Sequence, residues 1–183
     1  MLDCLVGSEM CIRDRYIRLG GAVVHPLIGR YVFGEIMIIR DIHEADWKQV
    51  YQLMEDNMLE MQLELGLKWD GEAILNFYKR KSVIVIEQDN NILGFIAFHQ
   101  SDDFHFIDSL QVAKQHQNGL LGGRLLKASL LQTNLLPKVK NVRCCVFENN
   151  PAESLYYSAG FQELSRTNGC LLYTSPSPRD NPA

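Results

Sequence analysis

Apolar positions along this chain follow two periods that take turns. Ser82 to Gln88 is a β-branched apolar run, Asp89-Asn90-Asn91 has turn chemistry, and Ile92 to Gln100 is a second run, so a hairpin is predicted. Phe104 to Val112, Asn141 to Glu148 and Phe161 to Arg166 predict three further strands, and Glu35 to Arg40 a short one upstream. Between them the spacing changes to three and four. Trp47, Val50, Tyr51, Met54 and Met58 mark one face of a helix that opens after the acidic stretch from Asp41 to Asp46. Asp70 suits the N-cap of a second helix, with Ile74, Phe77 and Tyr78 turned inward. A Leu-rich helix is predicted from Gly119 to about Thr133, and a short one from Ala152 to Ala159, ended by Gly160. Pro137 and Pro151 fall in connections, where a missing N–H does no harm. The order β-α-α-β-β-β-α-β-α-β, without repeats or a low-complexity linker, predicts one mixed α/β domain.

Composition narrows the class. At 183 residues there is room for one domain, and 46% hydrophobic residues can bury a core. No apolar run reaches membrane-spanning length and no basic stretch with an apolar h-region follows Met1, so a soluble cytoplasmic protein is expected. The net charge of −4 gives no electrostatic footprint for nucleic acid. Of the five cysteines only Cys144 and Cys145 are internal. Neighbours on a strand point to opposite faces, which makes a poor disulfide or metal pair, so two thiols are expected there.

The two ends are related to each other. A codon string encoding residues 170–180, reverse-complemented and shifted in frame, encodes Cys4 to Asp14. Residues 1–15 and 170–183 therefore resemble translated sequencing-adapter DNA flanking an environmental, bacterial insert, and they are set aside from the functional argument. Residues 16–36 are an ambiguous upstream segment, since Met37 stands where a start would fit. The domain proper is expected over residues 37–169, which hold the whole charge imbalance, 13 Lys+Arg against 17 Asp+Glu.

Two stretches carry chemistry. Gln117-Asn118-Gly119-Leu120-Leu121-Gly122-Gly123 joins the strand ending at Val112 to the Leu-rich helix. Glycines let a ligand approach the backbone, and the N–H groups and dipole of a helix N-terminus attract anions, so the segment suits a phosphate. It is neither a P-loop nor a dinucleotide turn, because no Gly-Lys-Ser/Thr and no G-x-G-x-x-G is present. The second stretch runs from Asn149 through Ala152, Leu155 and Tyr156 to Gly160-Phe161.

Together these stretches resemble the GNAT superfamily of acyl-CoA-dependent N-acetyltransferases, over Met37 to Gly169. Asn-x-x-Ala-x-x-Leu-Tyr-x-x-x-Gly-Phe is the strong element; in the glycine turn Gln117 and Gly122 match, while Leu120 occupies the middle small position. The resemblance implies the GNAT fold with acetyl-CoA as acyl donor. Leu110, Gln111 and Val112 would meet the pantetheine arm, and residues Gln117, Asn118, Gly119, Leu120, Leu121, Gly122 and Gly123 the pyrophosphate. Asn149 would reach the arm, and Tyr156 would stand at the sulfur as general acid for the departing thiolate. The family usually adds one more antiparallel strand after the Phe161 strand. That strand is expected to be absent from the native portion here, with the β-compatible Leu171 to Thr174 able to take its place.

An amine of pKa ~10 must lose a proton before it attacks, so a base is needed. Asp108, in step with Phe104 and Phe106 on its strand, is the first candidate; His105, facing the other way, is the weaker one. His99, Asp102, Asp103 and His105 lack metal-ligand spacing, and no metal is expected. From Met54 to Glu72 six acidic side chains face one lysine, with Met54, Met58, Met61 and Trp69 interleaved, which would suit a cationic amine with an apolar body. The expected partner is a small-molecule or peptide amine, and the protein a monomer or homodimer. A non-catalytic acyl-CoA-binding or metabolite-sensing module is the alternative, argued from Leu120.

Overall fold

The computed structural model describes residues 17–19, 22–24, 37–101, 103–117, 119–133, 141–147, 150, 152–167 and 170–176. Strands β1 (Ile17–Leu19) and β2 (Ala22–Val24) pair only with each other. Thirteen further elements follow: β3 (Met37–Asp41), a one-turn helix, α1 (Trp47–Glu64), α2 (Gly71–Tyr78), β4 (Ser82–Gln88), β5 (Asn91–Gln100), β6 (Phe104–Val112), a second one-turn helix, α3 (Leu121–Thr133), β7 (Asn141–Phe147), α4 (Glu153–Ser158), β8 (Gln162–Thr167) and β9 (Cys170–Pro176).

Local chemistry explains the boundaries. Asp70 Oδ1 accepts the Ala73 N–H at 3.0 Å and starts α2 as its N-cap. Asp89 and Asn90, at φ 52° and 64°, supply the two left-handed residues of a tight turn between β4 and β5. Arg40 on β3 ties the entrance of α1 to the sheet, binding Asp46 through two nitrogens at 2.6 and 3.1 Å and Glu87 at 2.7 Å. The Arg40 guanidinium holds the Asp46 carboxyl below the usual carboxylate range, and the His43 N–H adds to this.

Strands β3 to β9 form one seven-stranded sheet in the order β3-β4-β5-β6-β7-β9-β8. Every neighbouring pair is antiparallel except β6 and β7. Both faces of its centre are buried, so β4 and β5 read as continuous apolar runs rather than alternating ones. Ile84, Ile86, Ile96 and Phe98 share a core cluster with Leu121, Leu125 and Leu126 of α3 and with Tyr156 of α4. Val83, Val85, Phe95 and Ala97 share the other with Val50, Leu53, Met54 and Met58 of α1 and with Tyr78 of α2.

Two expectations change, and the one for Leu171 to Thr174 holds. Phe77, expected to face inward, is an exposed side chain, and Tyr78 alone closes that end of α2. Cys144 is a buried free thiol, whereas Cys145 points to the opposite face and is disulfide-bonded, so only one of the two expected thiols is present. Leu171 to Thr174 lie within β9, which inserts between β7 and β8 and buries Leu171 and Tyr173 in the core.

Two irregularities open the sheet where chemistry is expected. In the β5–β6 ladder Ala97 pairs with Ser109 and Phe98 with Ile107, so Asp108 is the extra residue of a bulge. The parallel β6–β7 ladder has four pairs and ends at Ile107–Cys144. Beyond that point β6 follows β5 to Val112 and β7 follows β9 to Phe147, and the two strands part.

Candidate functional site

The parting of β6 and β7 leaves a cleft of about 80 Å³. At ~30 Å³ per water it admits the reacting end of a ligand, not its bulk. Asp108, Leu110 and Gln111 line it from β6, Val146 and Phe147 from β7, Met58 and Met61 from α1, Tyr78 from α2, and Tyr156 from α4.

One wall is main chain. Ala113 N donates to Leu93 O at 2.8 Å, so by the alternation of an antiparallel ladder Gln111 points its backbone groups at β5, and Leu110 and Val112 point theirs away, into the opening. Val112 O accepts Asn57 Nδ2 at 3.0 Å and Gln117 Nε2 at 2.9 Å. Gly94 lets this wall sit close to β5: a Cβ there would lie 2.6 Å from Gln111 O and 3.3 Å from Val112 Cα.

The wall leads to the first turn of α3. Arg124 N donates to Leu120 O, so the N–H groups of Leu121, Gly122 and Gly123 have no intrahelical acceptor. A Cβ on Gly122 would come within 3.1 Å of Leu155, so this glycine serves the contact of α3 with α4. A Cβ on Gly123 would meet nothing within 4 Å, which leaves the turn clear for a ligand. Leu120 is 64% exposed, so its side chain leaves the loop rather than filling it. Gly119 sits beside His116 O. Asn118 and Asn149 lie outside the described residues.

Tyr156 is 4% exposed and held from several sides. Its ring stacks on Tyr173 at 6.4 Å and meets Phe161 edge-on at 5.3 Å, and its hydroxyl is hydrogen-bonded to the Cys144 thiol. Burial pushes the Tyr156 phenol well above its ordinary range and the Cys144 thiol up to about 12, so both groups are neutral proton carriers near pH 7.

Across the cleft the walls are side chains. The Asp108 carboxylate lies 2.7 Å from His99 Nδ1 and 3.7 Å from Lys81 Nζ. Tyr78 is hydrogen-bonded to Ser109, and burial raises its phenol. His105, on the opposite face of β6, is fully buried, and burial pushes it down to about 4. Met58 and Met61 are in the cleft; Met54 is sealed in the core, and Trp69 packs near Tyr51 beside Gly71. Glu55, Asp56, Glu60 and Glu64 line a separate surface groove with Leu59 and Leu63, outside the cleft.

Several contributors were not expected from the sequence. Asn57 falls three residues after Met54 and four before Met61, so helical spacing already puts it on their face. Asn150 accepts the Ala152 N–H at 2.9 Å as the turn into α4 and approaches Met61 Sδ at 3.8 Å. His99 and Lys81 join Asp108 only through the bulge, for which a single chain carries no local signal.

Comparison with known proteins agrees with this fold. Residues 79–163 match the family described as Acetyltransferase (GNAT) domain. The PaiA N-acetyltransferase of Thermoplasma acidophilum, solved with coenzyme A, superposes with a TM-score of 0.63 at 15% identity, over 77% of this chain and 99% of that one. A GNAT-family acetyltransferase of Staphylococcus aureus gives 0.62 at 17%, over 77% and 99%. N-acetylglutamate synthase of Neisseria gonorrhoeae, complexed with coenzyme A and N-acetyl-glutamate, gives 0.63 at 18%, over 79% of this chain and 36% of that one. No curated protein matches. The fold is the GNAT fold, and the donor of this domain family is acetyl-CoA. The turned-out main chain of Leu110 and Val112 and the clear first turn of α3 fit such a donor. No helix among the described residues is long and apolar enough to cross a membrane.

Proposed function

We propose, for a chain whose residues 79–163 carry a GNAT acetyltransferase domain, that it is an acetyl-CoA-dependent N-acetyltransferase. The acyl group would pass to an amine of a small molecule or peptide by direct attack in a ternary complex, in the cytoplasm and as a monomer or homodimer. One observation carries this reading: the opening between β6 and β7 brings Tyr156, Asp108 and the turned-out backbone of Leu110 to one cleft, with Val112 next along the same strand.

Acetyl-CoA supplies a thioester-activated acetyl group. Leu110 and Val112 offer main-chain partners to an extended amide-bearing arm, with the amides of Asn57 and Gln117 releasing Val112 O to it. Gln117 and the turn from Gly119 to Gly123 take the phosphates by N–H donors and the α3 dipole. Asn149, and Asn118 in the turn, complete the donor side in this reading. Tyr156, kept protonated by burial, gives a proton to the leaving sulfur. The Asp108 cluster removes the proton that the amine must lose, while Met58 and Met61 contact its apolar body.

Release of free thiol from acetyl-CoA with a panel of primary amines tests the reading. The expected result is turnover that Tyr156→Phe lowers by roughly 10²-fold or more while acetyl-CoA binding by calorimetry stays within twofold. Binding without turnover on any amine would sink it in favour of a non-catalytic module. Leu120, the argument for that module, directs its side chain to solvent, which leaves the module without a specific supporting feature.

A further inference from the structure

We propose that His99 is the proton acceptor for the amine and that Asp108, anchored by Lys81, is the positioning residue that orients it. This rests on the acetyltransferase reading and changes which atom acts. Asp108 is the extra residue of the β6 bulge, and the bulge turns its carboxylate toward β5, where His99 projects. Both of its oxygens are engaged, one with His99 Nδ1 at 2.7 Å and the other with Lys81 Nζ at 3.7 Å, and its side chain is only 5% exposed. With both oxygens held in this way and the side chain buried, the carboxylate is not the group presented to an incoming amine. The His99 side chain, by contrast, is 37% exposed. With Nδ1–H donating to Asp108, the lone pair on Nε2 is the basic site of the pair.

The surroundings suit that division. On β6 the titratable groups near His99 are Asp108 and, on the other face, His105, which burial pushes down to about 4 and so keeps neutral. Ahead of β4 stands Lys81, whose ammonium lies 4.5 Å from the Phe77 ring centre. Phe106 covers the His99 ring at 5.4 Å and limits its rotation. The protons balance. An ammonium acceptor gives one proton to Nε2, directly or through one water, and its nitrogen lone pair then attacks the acetyl carbonyl. The imidazolium, its charge balanced by Asp108, passes that proton to solvent after turnover. The second proton shed by the amine nitrogen replaces the one Tyr156 gives to sulfur. The reaction thus releases one proton per acetyl group moved.

The test uses the full chain with acetyl-CoA and the amine panel, followed from pH 5 to pH 10, together with nitrogen chemical shifts of the histidine rings. His99→Gln is expected to lower kcat by roughly 10²-fold, flatten the acid limb of the pH profile and leave acetyl-CoA binding within twofold. Added imidazole should restore part of the rate. Asp108→Asn should keep a limb but move it, and the His99 ring titration, to lower pH, a readout that needs no turnover. Unchanged rate and acid limb in His99→Gln, or a His99 titration unmoved in Asp108→Asn, would overturn the proposal while leaving the acetyltransferase reading intact. Absence of turnover in the wild-type chain would overturn both.

Discussion

In the proposed reading, the donor side and the acceptor side of the cleft are made of different materials. The donor side is main chain: the turned-out groups of Leu110 and Val112, the first turn of α3, Gly94 that lets β5 and β6 approach, Gly122 that seats Leu155, and Gly123 that leaves the turn open. The acceptor side is side chains: Asp108, bound from behind by His99 and Lys81, then Tyr78, Met58 and Met61. Backbone geometry survives sequence change so long as the fold does, and the fold is kept against relatives at 15 to 18% identity. A side-chain cluster depends on the identity of each member, so sequence change reaches the acceptor half more directly.

This division can be broken one side at a time. Gly94→Val should have the largest effect, because its Cβ would run into Gln111 O, a backbone atom that cannot swing away. A loss of ~1–3 kcal/mol is expected, read as a melting temperature lower by roughly 2–4 °C per kcal/mol, with weakened acetyl-CoA binding. Arg40→Ala should strike the acceptor half most, since Arg40 fixes the start of α1 through Asp46 and Glu87 and Asn57, the donor-side residue of α1, lies nearly three turns further on. It should cost about 1–3 kcal/mol near pH 7 and leave acetyl-CoA affinity within twofold. The Asp46 carboxyl is depressed in the folded state, so its contribution is full above the unfolded carboxylate value of ~3.9 and is lost as pH falls through the folded value. Acid melts of wild type should therefore converge on those of Arg40→Ala.

Gly123→Ala separates stability from binding. Its Cβ meets nothing in the protein and removes a helix glycine, so stability should rise by up to ~1 kcal/mol. Acetyl-CoA affinity should nevertheless fall several-fold by calorimetry, and an unchanged affinity would remove the α3 turn from the donor side. Met61→Leu, nearly volume-conserving, should be mildest: a change of two- to threefold in the KM of the amine and none in that of acetyl-CoA.

What the sequence made legible follows the same line. Strands β4 and β6 fall where the apolar runs place them, because a two-residue period or a continuous run needs no knowledge of distant partners. The glycine-rich turn into α3 and the helix that carries Tyr156 are readable because such elements depend on local chain geometry. Asp108 was found for its strand but not for its partners. Counting parity from Phe104 assumes an unbroken ladder, and the bulge at 108 is set by pairing with β5. Met54 was placed in the acceptor set because helical spacing cannot separate a residue that lines a cleft from one a turn away that is sealed beneath it.

The strand order β7-β9-β8 also bears on how the molecule is made. A chain leaves the ribosome from its N-terminus, so β8 emerges before β9, the strand that must lie between it and β7. Until residues 170–176 are free, β7 keeps an open edge and β8 has no place in the sheet. Tyr173, on which the Tyr156 ring stacks, arrives with that last strand. In this chain assembly of the cleft therefore waits on residues 170–176, the segment whose sequence resembles adapter DNA, and a chain stalled before this point would hold its helices and central hairpin without the ring on which Tyr156 stacks.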